Sequence, residues 1–220
     1  MPLYLTDDQV MLRDTARGFM AGEGSIAKQY RKYRDMNCKD GFGHALWKQF
    51  AEMGFTGILI DEADGGLGLG NVEAGIVLEE IGRNLTPSPF LITAVAVVEA
   101  LRGTKHGERW YPGILTGETV AALAIDEGSK HRPEAIAMIA ERSGNGFRLS
   151  GRKQFVVQGA SADVFVVAAH APDGLTLFAV EQGTKGLEVE GVRLADASIG
   201  GRLEFDRVEL DADAVIGEVG

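Results

Sequence analysis

Several residue groupings in this chain are of a kind that could do chemistry. Glu79 and Glu80 are adjacent carboxylates, the residue types of an acid–base pair. Neighbours on a helix point about 100° apart, so they cannot share one site closely. A solvated or inter-element salt-bridge role is the reading that spacing allows. Glycines 65, 66, 68 and 70 suggest a dinucleotide loop. They do not spell G-x-G-x-x-G, because Gly66-Leu67-Gly68 is followed by Leu69, Gly70 and Asn71. Helical patterns surround them, so the required βαβ setting is missing as well. They read as a flexible connection. Gly159-Ala160-Ser161-Ala162-Asp163 lacks the final glycine of a nucleophile elbow. His44, His106, His131 and His170 are scattered without metal-ligand spacing, and each reads as a surface or loop residue. Lys28, Arg31, Lys32 and Arg34 form a basic stretch that is either a solvated face or a phosphate contact.

The elements that must position such residues fall into two halves. Thr6-Asp7-Asp8-Gln9 fits a capping box and opens a helix carrying Val10, Leu12, Ala16, Phe19 and Met20. Further helices are expected over about 42–53, 71–81, 87–101 and 108–115. The stretch from Pro87 to Leu101 is apolar on nearly all faces and so reads as central in a bundle. Ile58-Leu59-Ile60 reads as a short extended piece.

From Val120 the pattern changes to short β-branched runs bounded by turns. Strands are expected over 120–125, 135–141, 147–149, 153–157, 164–169, 175–180, 187–190 and 201–207. Turn signals recur at Ser143-Gly144-Asn145-Gly146, Ser150-Gly151, Pro172-Asp173-Gly174 and Lys185-Gly186. The fold class is therefore α+β: a helical bundle over 1–117, then a small antiparallel β-barrel or sandwich over 118–220. The last residues, Asp211 to Gly217, read as an extended tail.

Composition narrows the partners. A net charge of −10 argues against nucleic acid, although a local patch can still bind a phosphate. No apolar run approaches the roughly 20 residues of a membrane span, and no signal peptide is visible. With Cys38 as the single cysteine, a cytoplasmic location is the expectation.

An ordered set of segments resembles the acyl-CoA dehydrogenase family. Asp64-Gly-Gly-Leu-Gly-Leu-Gly70 and Leu78-Glu-Glu-Ile-Gly-Arg83 are similar to its N-terminal helical domain. Trp110 to Glu118, Ala121 to Glu127, Phe147 to Lys153, Ala162-Asp163, Leu203 to Val208 and Val215 to Glu218 are similar to its middle β domain. The resemblance implies a flavoprotein that binds FAD and oxidises an acyl-CoA thioester to its 2,3-enoyl form. It places Leu123, Ile125, Asp126 and Glu127 on one flavin-contacting strand and Phe155, Val156 and Val157 on a second. Pro89, Phe90 and Thr93 are the implied lining of the acyl site, and Ser129, with Lys130 and Arg132, could meet phosphates. Two positions depart from the family: Asp126 stands where threonine is usual, and Val157 replaces a hydroxyl residue. Either the flavin contacts are remodelled or binding is weakened. The family also has a third, helical domain carrying the catalytic glutamate, and no carboxylate here aligns with that base. The expected roles are thus part of a dehydrogenase completed elsewhere, or a non-catalytic flavin-binding, acyl-CoA-binding or partner subunit. Electron-transferring flavoprotein is the implied acceptor, with oxygen as the oxidase variant, and a homo- or hetero-oligomer is implied.

Overall fold

The computed structural model describes residues 4–220. Helix α1 (Asp7–Gly22) begins with the expected capping box: the Gln9 amide donates to Thr6 Oγ1, and the Thr6 amide donates to Gln9 Oε1. Helix α3 (His44–Glu52) follows a π-helical turn (Ala27–Arg31) and the short α2 (Lys32–Asp35). The basic stretch is therefore a short helical segment with largely exposed side chains. Phe50 of α3 is fully buried, with Phe19, Trp47, Phe55 and Phe90 around it.

Ile58-Leu59-Ile60 is not extended. It continues a 3₁₀ turn (Phe55–Gly57), and all three side chains are buried. The glycine run after it is pinned to this turn, contrary to the expected flexible connection. The amides of Leu67, Gly68 and Leu69 donate to the carbonyls of Gly57, Ile60 and Ile58 at 2.8–2.9 Å. Gly66 fits only because it lacks a Cβ, which would stand 2.1 Å from the Ile60 carbonyl oxygen. Gly66→Ala is expected to cost on the order of 3 kcal/mol, since backbone rather than a flexible side chain must give way. A drop in urea midpoint at unchanged slope is the readout. Wild-type stability would mean that the two segments can separate freely.

Helix α4 (Asn71–Asn84) packs on α1. Glu79 is exposed, but Glu80 is 1 % exposed and takes Arg17 of α1 at 2.8 Å and Arg83 at 3.3 Å. This is the inter-element ion pair that the adjacent carboxylates suggested. The central apolar segment is π-helical over Phe90–Val97 before α5 (Val98–Leu101), and α6 (Lys105–Leu115) closes the helical part.

Eight strands form one mostly antiparallel sheet: β1 (Ala121–Ala124), β2 (Ile139–Ser143), β3 (Gly146–Val157), β4 (Val164–Ala171), β5 (Gly174–Glu181), β6 (Leu187–Arg193), β7 (Ile199–Leu210) and β8 (Val215–Ile216). The order is β6-β7-β3-β2-β4-β5-β8, with β1 parallel to β4. The two strands expected at 147–149 and 153–157 are one. Register shifts at Leu149/Gly151 and Lys153/Val156 bend it without breaking its pairing with β7. The strand expected from Ala135 begins only at Ile139, because Pro133–Ala135 is a 3₁₀ turn.

Strand β4 is buried on both faces. Val164 and Val166 join the helical core, while Phe165 and Val167 join the core of the sheet. Ile216 of β8 also enters the helical core, so the expected tail is a packed element. His106, expected at the surface, is 3 % exposed, and its Nε2–H donates to the Val215 carbonyl at 3.0 Å. The other three histidines are exposed. Among the described residues no helix is long and apolar enough to cross a membrane.

Candidate functional site

Strand β4 has β5 along one edge and shares its other edge between two strands. β1 pairs with Val164–Val167, and β2 meets it only at His170. Between these contacts the chain leaves the sheet as a loop over 125–138. The long strand β3 runs past the gap, pairing with β2 through Gly146–Ser150. Farther along, the Gln154 amide donates to the Asp126 carbonyl at 2.7 Å. The two stretches implied to face a flavin, 123–127 and 155–157, therefore meet where Asp126 receives Gln154, the residue just before the second.

A fully buried lysine fills the gap. Lys153 Nζ donates to the Ile125 carbonyl at 3.0 Å and to Glu127 Oε1 at 2.8 Å. The Glu127 carboxylate also accepts from the amides of Ala137 (2.8 Å) and Met138 (3.0 Å). Burial is the largest influence on Glu127 and works upward. It is outweighed by the hydrogen bond from Lys153, the two amides and the lysine charge, which hold the carboxyl below its ordinary range. Burial pushes the Lys153 ammonium down, against the opposing pull of Glu127. The geometry, two acceptors on Nζ and two further donors on the carboxylate, favours the ion pair.

Asp126 turns its carboxylate into the loop, where Oδ1 accepts from the Arg132 amide at 3.0 Å and Oδ2 lies 2.9 Å from His131 Nδ1. Around the loop is a cavity of about 470 Å³ lined by Glu127, Gly128, Ser129, Lys130, Arg132 and Ala135. A second, of about 390 Å³, shares Glu127 and reaches Ile139 and Arg152. Lys130 and Arg132 bring positive charge and Ser129 a hydroxyl, a donor set suited to an anionic group.

Phe155 and Val157 each leave about half their surface exposed, whereas Val156 between them is buried in the sheet. Phe155 adopts φ of +53°, uncommon for a bulky residue, at the register shift that points its ring outward. Leu123 and Ile125 are partly buried and pack on the helical core and the sheet core respectively.

The implied acyl-site residues are placed differently. Pro89 is buried, and Phe90 is a core ring 1 % exposed. Thr93 is fully buried: its hydroxyl donates to the Ala121 carbonyl at 2.8 Å and accepts from the Ala121 amide at 3.1 Å. None of the three lines either cavity. The apolar helix meets strand β1 at Thr93. The residue that sequence reasoning passed over is Lys153. The lysine in the middle of an apolar strand, with Glu127 just past another, was the available signal. Among the described residues no cluster of three or more His, Cys, Asp or Glu is placed to hold a metal.

Comparison with known proteins bears on this arrangement. The model of the acyl-CoA dehydrogenase N-terminal domain matches residues 6–118, and that of the acyl-CoA dehydrogenase middle domain matches residues 124–208. Benzylmalonyl-CoA dehydrogenase of Aromatoleum aromaticum is 32% identical over 201 residues, covering 86% of this chain and 51% of that protein. Mitochondrial isovaleryl-CoA dehydrogenase of Pongo abelii is 28% identical over 202 residues, covering 83% and 45%. The crystal structure of an acyl-CoA dehydrogenase from Geobacillus kaustophilus superposes with a TM-score of 0.82 at 25% identity, covering 100% of this chain and 60% of that one. The chain spans about half the length of the curated relatives it matches.

Proposed function

The chain belongs to the acyl-CoA dehydrogenase family, and from that premise we propose that it supplies the flavin-facing wall of an enzyme oxidising an acyl-CoA thioester to its 2,3-enoyl form. In this reading residues 1–117 are the helical domain and 118–220 the β domain, and the cofactor is FAD. The observation that carries it is the junction of the two implied stretches at Asp126 and Gln154, with Glu127 of the first lining the cavity that also holds Lys130 and Arg132.

The residues present suit such a cofactor. Phe155 and Val157 offer exposed apolar surface to a planar ring. Ser129, Lys130 and Arg132 suit phosphate oxygens. FAD, when bound, supplies the redox chemistry, and the protein supplies orientation and electrostatics. Asp126 and Glu127 are both engaged, one with His131 and the loop amide of Arg132, the other with Lys153 and two amides. Neither is free to take a proton from C2 of the acyl group, so in this reading the base lies outside the wall. The same observation favours a second reading, in which the chain binds flavin or acyl-CoA without turnover, as a partner subunit. Oligomeric assembly and electron-transferring flavoprotein as acceptor belong to the first reading.

Purified protein should carry a flavin absorption spectrum or acquire one on adding FAD. Bleaching of that spectrum by acyl-CoA supports the dehydrogenase reading. Flavin uptake without bleaching is the result that a wall lacking its base gives in either reading. A protein that takes up neither FAD nor acyl-CoA overturns both.

A further inference from the structure

We propose that Lys153, acting through Glu127, is the positioning residue of this wall: it sets where the loop over 128–138 stands relative to the Phe155 edge. The inference rests on the cofactor reading only for what the wall faces. Where the edge of β4 passes from β1 to β2, the strands no longer hold one another in register through a continuous ladder. The chain leaves β1 at Ile125 and returns at Met138, and something other than regular pairing must fix the distance between exit, return and β3.

One ammonium group joins all three. Lys153 comes from β3, its Nζ holds the carbonyl of Ile125 at the exit, and its partner Glu127 holds the amides of Ala137 and Met138 at the return. The lysine is fully buried. A buried charge with so few partners is costly to separate from them, so the three segments move together or not at all. Lys153 does not line either cavity, whereas Glu127 lines both. Its influence on a bound group is therefore exerted through Glu127 and the loop. The positions most dependent on it are Gly128 to Arg132, which carry the cationic lining.

The test uses the 220-residue protein and two readouts, hydrogen exchange without flavin and FAD titration followed by flavin fluorescence. In K153M the amides of Ala137 and Met138 should exchange at least about tenfold faster, with those of Val167 and Phe178 unchanged, because only the clamp is lost. FAD affinity should fall by at least about tenfold in the same variant. F50L, which loosens the helical core away from this clamp, should lose some stability while leaving both readouts at wild-type values. Should K153M not fold, the E127Q/K153M double variant leaves no unpaired charge and carries the same readouts. Unchanged exchange at Ala137 and Met138, exchange lost uniformly across the sheet, or FAD affinity within about twofold of wild type overturns the proposal. A wild-type protein that takes up no FAD, yet shows the selective loss of protection in K153M, sinks the cofactor reading and leaves the positioning role standing.

Discussion

Replacing Phe50 with alanine is expected to lower the unfolding free energy by about 3–5 kcal/mol, the range for deleting a fully buried aromatic ring. Phe50 is the residue on which the helical core converges. Its ring lies 5.6 Å from that of Phe19, 5.8 Å from those of Trp47 and Phe55, and 6.2 Å from that of Phe90. Two of these pairs, with Phe19 and Phe55, are edge-to-face, an arrangement that adds to simple burial. The neighbours come from α1, the 3₁₀ turn and the π-helical segment, so no single element can shift to fill the hole. Urea denaturation should show a lower midpoint at the wild-type slope. Phe50→Leu should recover much of the loss. A cost under about 1 kcal/mol would mean that the four rings collapse onto the vacancy, and the picture of a mutually braced cluster would be wrong.

Thr93→Val should cost about 2–4 kcal/mol, although it changes neither shape nor volume appreciably. The side chain touches no cavity. Its hydroxyl both donates to and accepts from the backbone of Ala121, standing in for a neighbouring strand at the first residue of β1. Valine leaves a buried amide and a buried carbonyl without partners, each penalised by about 1–3 kcal/mol, while repacking offsets part of the sum. Thr93→Ser keeps the hydroxyl and should lose far less. Differential scanning calorimetry on the two variants separates the contributions: a Thr93→Ser loss as large as that of Thr93→Val would mean that the γ-methyl, which only serine lacks, matters as much as the two hydrogen bonds.

Much of the architecture could be read from residue patterns, because those patterns are local. The Thr6–Gln9 box, the turn at Ser143–Gly146 and the switch to β-branched runs at Val120 are each decided by a few neighbouring residues. What escaped was decided by distant partners. Ile58–Ile60 looks like a strand by composition, but its backbone carbonyls are claimed by the glycine run that follows. The bends in β3 hide a single strand because the pairing that keeps it continuous comes from β7, more than forty residues on. His106 is buried because Val215 lies over it. At the site, the ordered resemblance named two stretches that the fold joins at Asp126 and Gln154, but left Lys153 without a role. Its importance depends on a gap in the sheet that no stretch of sequence displays. Pro89, Phe90 and Thr93 are on the buried side of a segment whose Leu91 stays exposed, a distinction that its all-apolar composition hides.

Strand β8 bears on how this chain acquires its structure during synthesis. Ile216 is part of the helical core, and the Val215 carbonyl receives the His106 imidazole of α6. A ribosome extends the chain from the N-terminus, so every residue of the helices emerges well before the side chain that caps their interior. Until residue 216 has cleared the exit tunnel, the apolar interior built around Phe50 stays open on the side where β1, β4 and β8 will lie. The helical half cannot finish early and wait. Nascent helices are therefore expected to expose apolar surface until the strands that cover them arrive, Ile216 last among them.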